Sequence, residues 1–536
     1  MKFWEIFFEK EGLKSVKRFN VTSICVPGKH YMVDIGGKIA KIKKMVDNGD
    51  YFTINRARQY GKTTTLYELE KKLSGEYLVV KISFERLGDE SFASAEKFCP
   101  AFIRQIVRAL RFTSAEPEYT EQWADYSIAD FDSLSDHITD MCEGKNIILM
   151  IDEVDKTSNN RVFLHFLSTL RDKYTARNAG KDRTFHSVVL AGVYDIKNIK
   201  VKMIKEGLYT PLPTEEKIYN SPWNIAADFE VDMSFGPAEI ATMLAEYEAD
   251  HETGMDIAAI SGDIHSYTGG YPFMVSRICQ HIDERVNKDW TVGGVKEAVK
   301  MLLDEKNTLF DDLRKNIEMY PELKKLLRGL LLSGERFAFN IDNATMGLGH
   351  MFGYLKSENG VATVANKVFE MRLYNYFISE QEISGELGLR PPHRGEVAEG
   401  GRLDMELLLR RFAQHYMEIY RQKDAEFLER HGGLLFLTYL KPFVNGHGYC
   451  HIESQTNDFR IDITVDYGSE QFVVELKIWS GPKGHERAYG QLANYLGLKG
   501  ADVGYLLTFD FRKESNKERR AEWVEFGGKR IFDVIV

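Results

Sequence analysis

Cysteine is scarce in this chain of 536 residues: Cys25, Cys99, Cys142, Cys279 and Cys450 are scattered, odd in number and without a Cys-x-x-Cys pair. That argues against a disulfide framework and a structural zinc site, and leaves buried thiols. No run approaches ~18 uninterrupted apolar residues, so no transmembrane helix is expected. The amino terminus breaks its apolar residues with Glu5, Glu9 and Lys10 and makes a poor signal peptide. Cytoplasmic residence without a membrane partner is the expectation. Positive charge is also short: the net charge is −10 and the pI about 5.9. The protein as a whole is therefore no polyanion binder, and nucleic-acid contact would need local basic patches. Internal repeats and low-complexity tracts are missing too. What is present is length, enough for three or four domains.

The most informative stretch runs from Tyr51 to Leu69. A short strand leads into a loop ending Gly61-Lys62-Thr63, and a helix follows with Leu66, Leu69 and Leu73 on one face. A helix N-terminus offers N–H groups and positive partial charge to phosphate; Lys62 adds a mobile cation and Thr63 a hydroxyl for Mg²⁺. Arg58, Gln59, Tyr60, Gly61 and Thr64 complete the expected ATP cradle. Arg56 stands where the eight-residue phosphate-loop pattern has glycine. A chance Gly-Lys-Thr at a helix start is the bland reading.

A second element favours the nucleotide. Asn146 to Ile151 is an apolar run of strand length delivering Asp152 and Glu153, as a buried parallel strand delivers acids to a sheet's C-terminal edge. Asp152 is expected to hold Mg²⁺ through water, and Glu153 to orient and deprotonate the attacking water. Runs at Tyr51–Ile54, Tyr77–Phe84 and Ser187–Val193 alternate with helical periodicity, the pattern of a parallel sheet covered on both faces. Asp195 follows the last run, where nucleotide enzymes of this type carry a γ-phosphate sensor. Arg171 and Arg177, late in the helix that follows Asp152 and Glu153, are candidate charge stabilisers, though such arginines are more often solvated or complement the helix dipole.

Residues 219–304 read as a helical lid in which Pro272 starts a helix, and residues 305–383 as a winged-helix-like domain. The would-be recognition helix of the latter, Met346 to Lys356, has almost no basic side chains, which favours packing or regulation over base reading. Residues 384–401 collect glycine, proline and charge and form a linker.

Beyond it the order is αβββαβ. Asp462 lies on the middle strand of the three, and Glu475 and Lys477 lie on the next, where side chains two apart share a face. Two carboxylates and a lysine on one sheet face suit metal-assisted phosphodiester hydrolysis. Asp462 and Glu475 ligate Mg²⁺, Glu453 adds a further ligand, and Lys477 positions water. Gln491, Tyr495 and Arg487 are placed to hold a phosphate backbone. Arg512 to Arg520 is a candidate backbone clamp, with a solvated charged loop as the plainer reading. An exposed cross-charge pair is the plainer reading of Glu-x-Lys.

At Asn55–Thr63, Ile151–Asp155, Leu190–Ile196, Gly269–Pro272, Phe459–Asp462 and Glu475–Lys477 the chain resembles a family of bacterial proteins joining an AAA-like ATPase to a C-terminal PD-(D/E)XK nuclease-like domain. The resemblance implies an N-terminal extension (1–29), an ASCE/AAA-like phosphate-loop domain (30–218), the lid, the winged-helix-like domain, the linker and a restriction-endonuclease-like domain (402–536). It implies that ATP and Mg²⁺ at the first site control cleavage of nucleic acid, DNA first, at the second. In such a family Arg56 is unsurprising. The Gly270-Tyr271-Pro272 segment is similar to one that couples nucleotide state to domain position in signal-transducing ATPases. Two alternatives stay open: a nucleotide-dependent switch whose C-terminal domain binds nucleic acid or protein without cutting, and an ATPase that remodels a protein partner. Homo-oligomerisation also stays open, because an arginine acting in trans would require it.

Overall fold

A computed structural model describes residues 17–154, 161–193, 223–332, 335–384, 398–399, 402–420, 435–437, 439–441, 443–444, 448–455, 460–468, 470–512 and 519–536. The chain divides into two compact units, Met1–Leu302 with His350–Gly353, and Leu303–Gly349 with Tyr354–Val536.

The first unit is built on α1 (Gly36–Asp47), β1 (Tyr51–Asn55), α2 (Lys62–Leu73), β2 (Leu78–Ser83), α3 (Ala95–Leu110), α4 (Pro117–Gln122), α5 (Phe131–Met141), β3 (Ile147–Asp152), α6 (Arg161–Asn178) and β4 (Ser187–Gly192). The four strands are parallel in the order β1-β4-β3-β2. Every residue of β3 and β4 is buried, as two-sided coverage of a parallel sheet demands. Alternation sorts the side chains between two cores. Ile147, Leu149 and Ile151 join Val188 and Leu190 under α3, α5 and α6, while Ile148, Met150, Val189 and Ala191 pack under α1 and α2. The strand order carries β4 between the strand feeding the phosphate loop and the strand ending in Asp152. Among the described residues the chain continues through α7 (Pro237–His251), α8 (Ile257–Thr268), α9 (Pro272–Glu284) and α10 (Val292–Asp304).

The second unit begins with α11 (Thr308–Met319), α12 (Pro321–Leu332), α13 (Ala344–Met351) and the antiparallel ribbon β5 (Leu355–Glu358) and β6 (Val361–Val364). Asn359 and Gly360 both take left-handed φ at the ribbon's turn, which a two-residue hairpin of this hand needs. After α14 (Lys367–Ser384), the short ribbon β7 (Ala398–Glu399) and β8 (Arg402–Leu403), and α15 (Met405–Tyr420) comes a six-stranded mixed sheet. Its elements are β9 (Gly448–Gln455), β10 (Arg460–Tyr467), β11 (Glu470–Ile478), α16 (Pro482–Lys499), β12 (Val503–Phe509), β13 (Arg520–Phe526) and β14 (Lys529–Ile535). The αβββαβ expectation stops two strands short. β14 adds parallel to β12, and β13 closes the edge antiparallel to β14. Among the described residues no helix is long and apolar enough to cross a membrane.

Candidate functional site

The phosphate loop is shaped by two left-handed residues, Gln59 at φ 56° and Gly61 at φ 77°. Gly61 is the N-cap of α2, and no side chain caps that helix, which keeps its positive end available to a phosphate. Lys62 is only 7% exposed, and its Nζ donates to the carbonyls of Arg56 and Ala57 at 2.9 Å each. The ammonium is thus held inside the curl of the loop.

Thr63 Oγ1 donates to Asp152 Oδ2 at 2.8 Å, and Asp152 Oδ1 accepts from the Glu153 N–H at 2.9 Å. Glu153 takes a left-handed φ of 56°, an uncommon setting for a residue with a Cβ and one that recurs at functional sites. A hydroxyl and a carboxylate in contact at the mouth of a positively polarised helix are the donor set a phosphate-bound Mg²⁺ takes, so ATP with Mg²⁺ fits the residues present. The Thr64 hydroxyl accepts from the Cys25 N–H at 3.2 Å, tying the segment before α1 to α2.

Arg56 is a pin. Its guanidinium donates to the carbonyls of Asn55 and Val231, each at 2.8 Å, and lies 5.4 Å from the centre of the Phe229 ring. Burial pulls its pKa below the ordinary arginine value. Tyr60 meets Ser234, hydroxyl to hydroxyl, at 2.7 Å, and its ring is edge-on to Tyr271 at 4.6 Å. Tyr271 in turn donates its hydroxyl to the Arg58 carbonyl. Pro272 starts α9, and a Cβ placed on Gly61 would stand 3.9 Å from its ring. The Gly270-Tyr271-Pro272 segment therefore lies directly against the loop. Of these partners, Phe229, Val231 and Ser234 carry no local motif, and nothing in their spacing announces them.

Arg177 serves structure, the more common role of an arginine late in a helix. Its guanidinium donates to the carbonyls of Phe185 and Gly49 at 2.9 Å and stacks 4.8 Å from the Tyr174 ring. Those carbonyls precede β4 and β1, at the sheet edge opposite Lys62, so Arg177 fastens strand beginnings and does not face a γ-phosphate. Arg171 is half-buried on the same helix. Asp195 lies outside the described residues.

In the second unit the register aligns the expected acids. Glu453 pairs with Asp462, and Asp462 pairs with Glu475, across β9, β10 and β11. For Glu453 and Asp462 the backbone register is what is described. Glu475 is 1% exposed, Lys477 Nζ lies 3.4 Å from its Oε1, and the same Nζ donates to Gln491 Oε1 at 3.1 Å. Glu475 and Lys477 do share a face, and the bond from Lys477 to Gln491 is one that the sequence did not announce. Among the described residues no group of three or more His, Cys, Asp and Glu is arranged to hold a metal ion. Of the candidate clamp segment, residues 513–518 lie outside the described residues; Arg520, at its end, belongs to β13 and bonds Tyr489 and Asp533 at 3.1 and 3.4 Å.

Residues 29–327 match the family model described as an AAA-like domain. Among solved structures, the chain is similar to the Walker-type ATPase PABY2304 of Pyrococcus abyssi at 12% identity and TM-score 0.47, over 66% of this chain and 99% of that one. The ORC2 protein of Aeropyrum pernix in its ADPNP–ADP complexes aligns at 13% identity and TM-score 0.39, over 68% and 98% of the two chains. The RuvB Holliday junction branch migration motor of Thermotoga maritima aligns at 14% identity and TM-score 0.31, over 63% and 94%. No curated protein matches the chain. With a family match over more than half its length and a parallel sheet presenting Lys62, Thr63 and Asp152 at one edge, the chain belongs to the AAA-like domain family and carries an ATPase-like, nucleotide-binding fold.

Proposed function

We propose that the protein is a Mg²⁺-dependent ATPase whose nucleotide state controls a phosphodiester-cleaving C-terminal domain acting on nucleic acid, DNA first, in defence or DNA maintenance. At the first site α2 and Lys62 bind the phosphates, Thr63 and Asp152 hold the metal, and Glu153 takes the proton of the attacking water. The Gly270-Tyr271-Pro272 contacts with Arg58, Tyr60 and Gly61 give α9 a direct mechanical link to the phosphate loop.

The observation that carries the cleavage reading is the transverse row Glu453, Asp462, Glu475, with Lys477 two residues on from Glu475. Mg²⁺, when bound, would neutralise phosphate charge and make water acidic enough to attack. Asp462 and Glu475 would be its ligands, and Lys477, steadied by Gln491, would orient the water. On this reading the six-stranded sheet is a PD-(D/E)XK-like core extended by β13 and β14, and the elements from α11 to β6 form a winged-helix-like module.

A second reading, a nucleotide-dependent switch that binds its partner without cleavage, is favoured by the inward pairing of buried Glu475 with Lys477. An assay of ATP turnover and cleavage on single- and double-stranded DNA and RNA separates them, with wild type beside Lys62→Ala and Lys477→Ala. ATP turnover falling roughly a hundredfold in Lys62→Ala, and Mg²⁺-dependent cleavage falling as far in Lys477→Ala, are expected. ATP turnover untouched in Lys62→Ala sinks the first half; cleavage untouched in Lys477→Ala, or absent from the wild type, sinks the second.

A further inference from the structure

A buried carboxylate sits two strands from Glu475 with a polar network of its own. Asp533 on β14 is 0% exposed. It accepts from the Tyr489 hydroxyl at 2.7 Å, meets His485 Nε2 at 3.0 Å and receives Arg520 at 3.4 Å. A buried carboxylate needs hydrogen-bond donors, and the Tyr489 hydroxyl and the Arg520 guanidinium supply them here. Burying such a group without paired donors is costly, and a packed apolar residue often serves stability as well or better. The network therefore points to a requirement other than stability.

Its position supplies one. Asp533 pairs with Leu506, and Leu506 pairs with Glu475. Paired residues face the same side of a sheet, so Asp533 and Glu475 share a face about 10 Å apart. α16 covers that face, with Ala488, Leu492 and Leu496 packed on Leu506 and Ile531. The helix is thereby gripped on two flanks: His485 and Tyr489 bond Asp533 on the β14 side, and Gln491 bonds Lys477 on the β11 side. Apolar packing is non-directional and tolerates a roll of the helix about its axis. Hydrogen bonds do not, because they weaken steeply as the angle opens. A roll of about 20° moves an atom some 5 Å from the axis by about 2 Å, more than the 3.1 Å Lys477–Gln491 bond can absorb.

We propose that Asp533 is a positioning residue for the phosphodiester chemistry: through His485 and Tyr489 it fixes the roll of α16 and so sets Gln491 against Lys477. This rests on the cleavage reading above. The test compares Asp533→Asn and Tyr489→Phe with Val534→Ala, which weakens the same strand from its other face, where Val534 is fully buried. Single-turnover Mg²⁺-dependent cleavage, oligonucleotide affinity and the thermal midpoint are measured on the full chain. Asp533→Asn and Tyr489→Phe are expected to lower the cleavage rate roughly ten- to a hundredfold, with affinity unchanged. Val534→Ala lowers the thermal midpoint and leaves rate and affinity alone. Should Asp533→Asn fail to fold, Tyr489→Phe, which deletes a single oxygen, decides. Wild-type cleavage with Tyr489→Phe behaving like Val534→Ala overturns this proposal alone. A wild type that cleaves nothing removes the nuclease reading and this proposal with it.

Discussion

Thr63 Oγ1 and Asp152 Oδ2 are 2.8 Å apart although 89 residues separate them in the chain. The bond joins the first turn of α2 to the end of β3 and brings together the two oxygens proposed to hold Mg²⁺. Thr63→Val keeps the shape and removes the hydroxyl; Thr63→Ser keeps the hydroxyl. We expect Thr63→Val to lower Mg²⁺-dependent ATP turnover at least about tenfold and Thr63→Ser to restore most of it. A steady-state assay across a Mg²⁺ titration checks this, and equal rates in the two variants would count against the assigned role.

Gly270 has no room for a side chain. A Cβ there would stand 2.2 Å from the Phe235 carbonyl oxygen and 2.7 Å from its nitrogen, and its φ is 74°. The crowding is with backbone, which cannot turn aside, and the Phe235 N–H to Gly270 carbonyl bond at 2.8 Å holds the two segments together. Gly270→Ala is expected to destabilise the first unit by about 2–4 kcal/mol, measured by chemical denaturation. Gly254→Ala is the control, since its φ of 75° is matched but its surroundings are open; a smaller cost, on the order of 1 kcal/mol, is expected there.

Lys173, 2% exposed, donates to Asp182 Oδ2 at 2.8 Å, Thr139 Oγ1 at 2.6 Å and the Ser135 carbonyl at 2.9 Å. Burial raises the Asp182 pKa, but the bonds from Lys173, Thr139 and the Arg183 N–H outweigh it and leave the carboxyl below its ordinary value. A carboxylate depressed in the folded state adds stability above its unfolded pKa and loses it as pH falls through the folded value. The contribution should therefore be whole above about pH 4 and fade below it. Asp182→Asn is expected to flatten that acid limb in urea melts across pH 2–6, about 3 kcal/mol less stable than wild type at neutral pH. An unchanged acid limb would refute the assignment.

The candidate sites are legible where chemistry is local. Lys62 and Thr63 follow a strand and open a helix within a dozen residues, and the two-residue period of a strand places Glu475 and Lys477 together before any packing is known. What Arg177 binds was not legible, because its helical position says nothing about which sheet edge the helix end meets. Arg56 looks out of place for a related reason: its partners at Phe229 and Val231 lie some 175 residues away. The last two strands escape a reading of the residues because Arg512 to Arg520 presents itself as charge, and β13 is only half-buried at the sheet's edge.

The residues alone dictate the four strands of the first unit, the phosphate loop and the parity of Glu475 with Lys477. Each depends on neighbours a few residues apart, where backbone geometry and the alternation of faces leave few choices. Packing was needed for the rest: that β4 separates β1 from β3, that Thr63 reaches Asp152, that Tyr271 reaches Arg58, and that Asp533 shares a sheet face with Glu475. Those contacts join segments far apart in the chain, and which of them form is settled by how whole elements fit against one another.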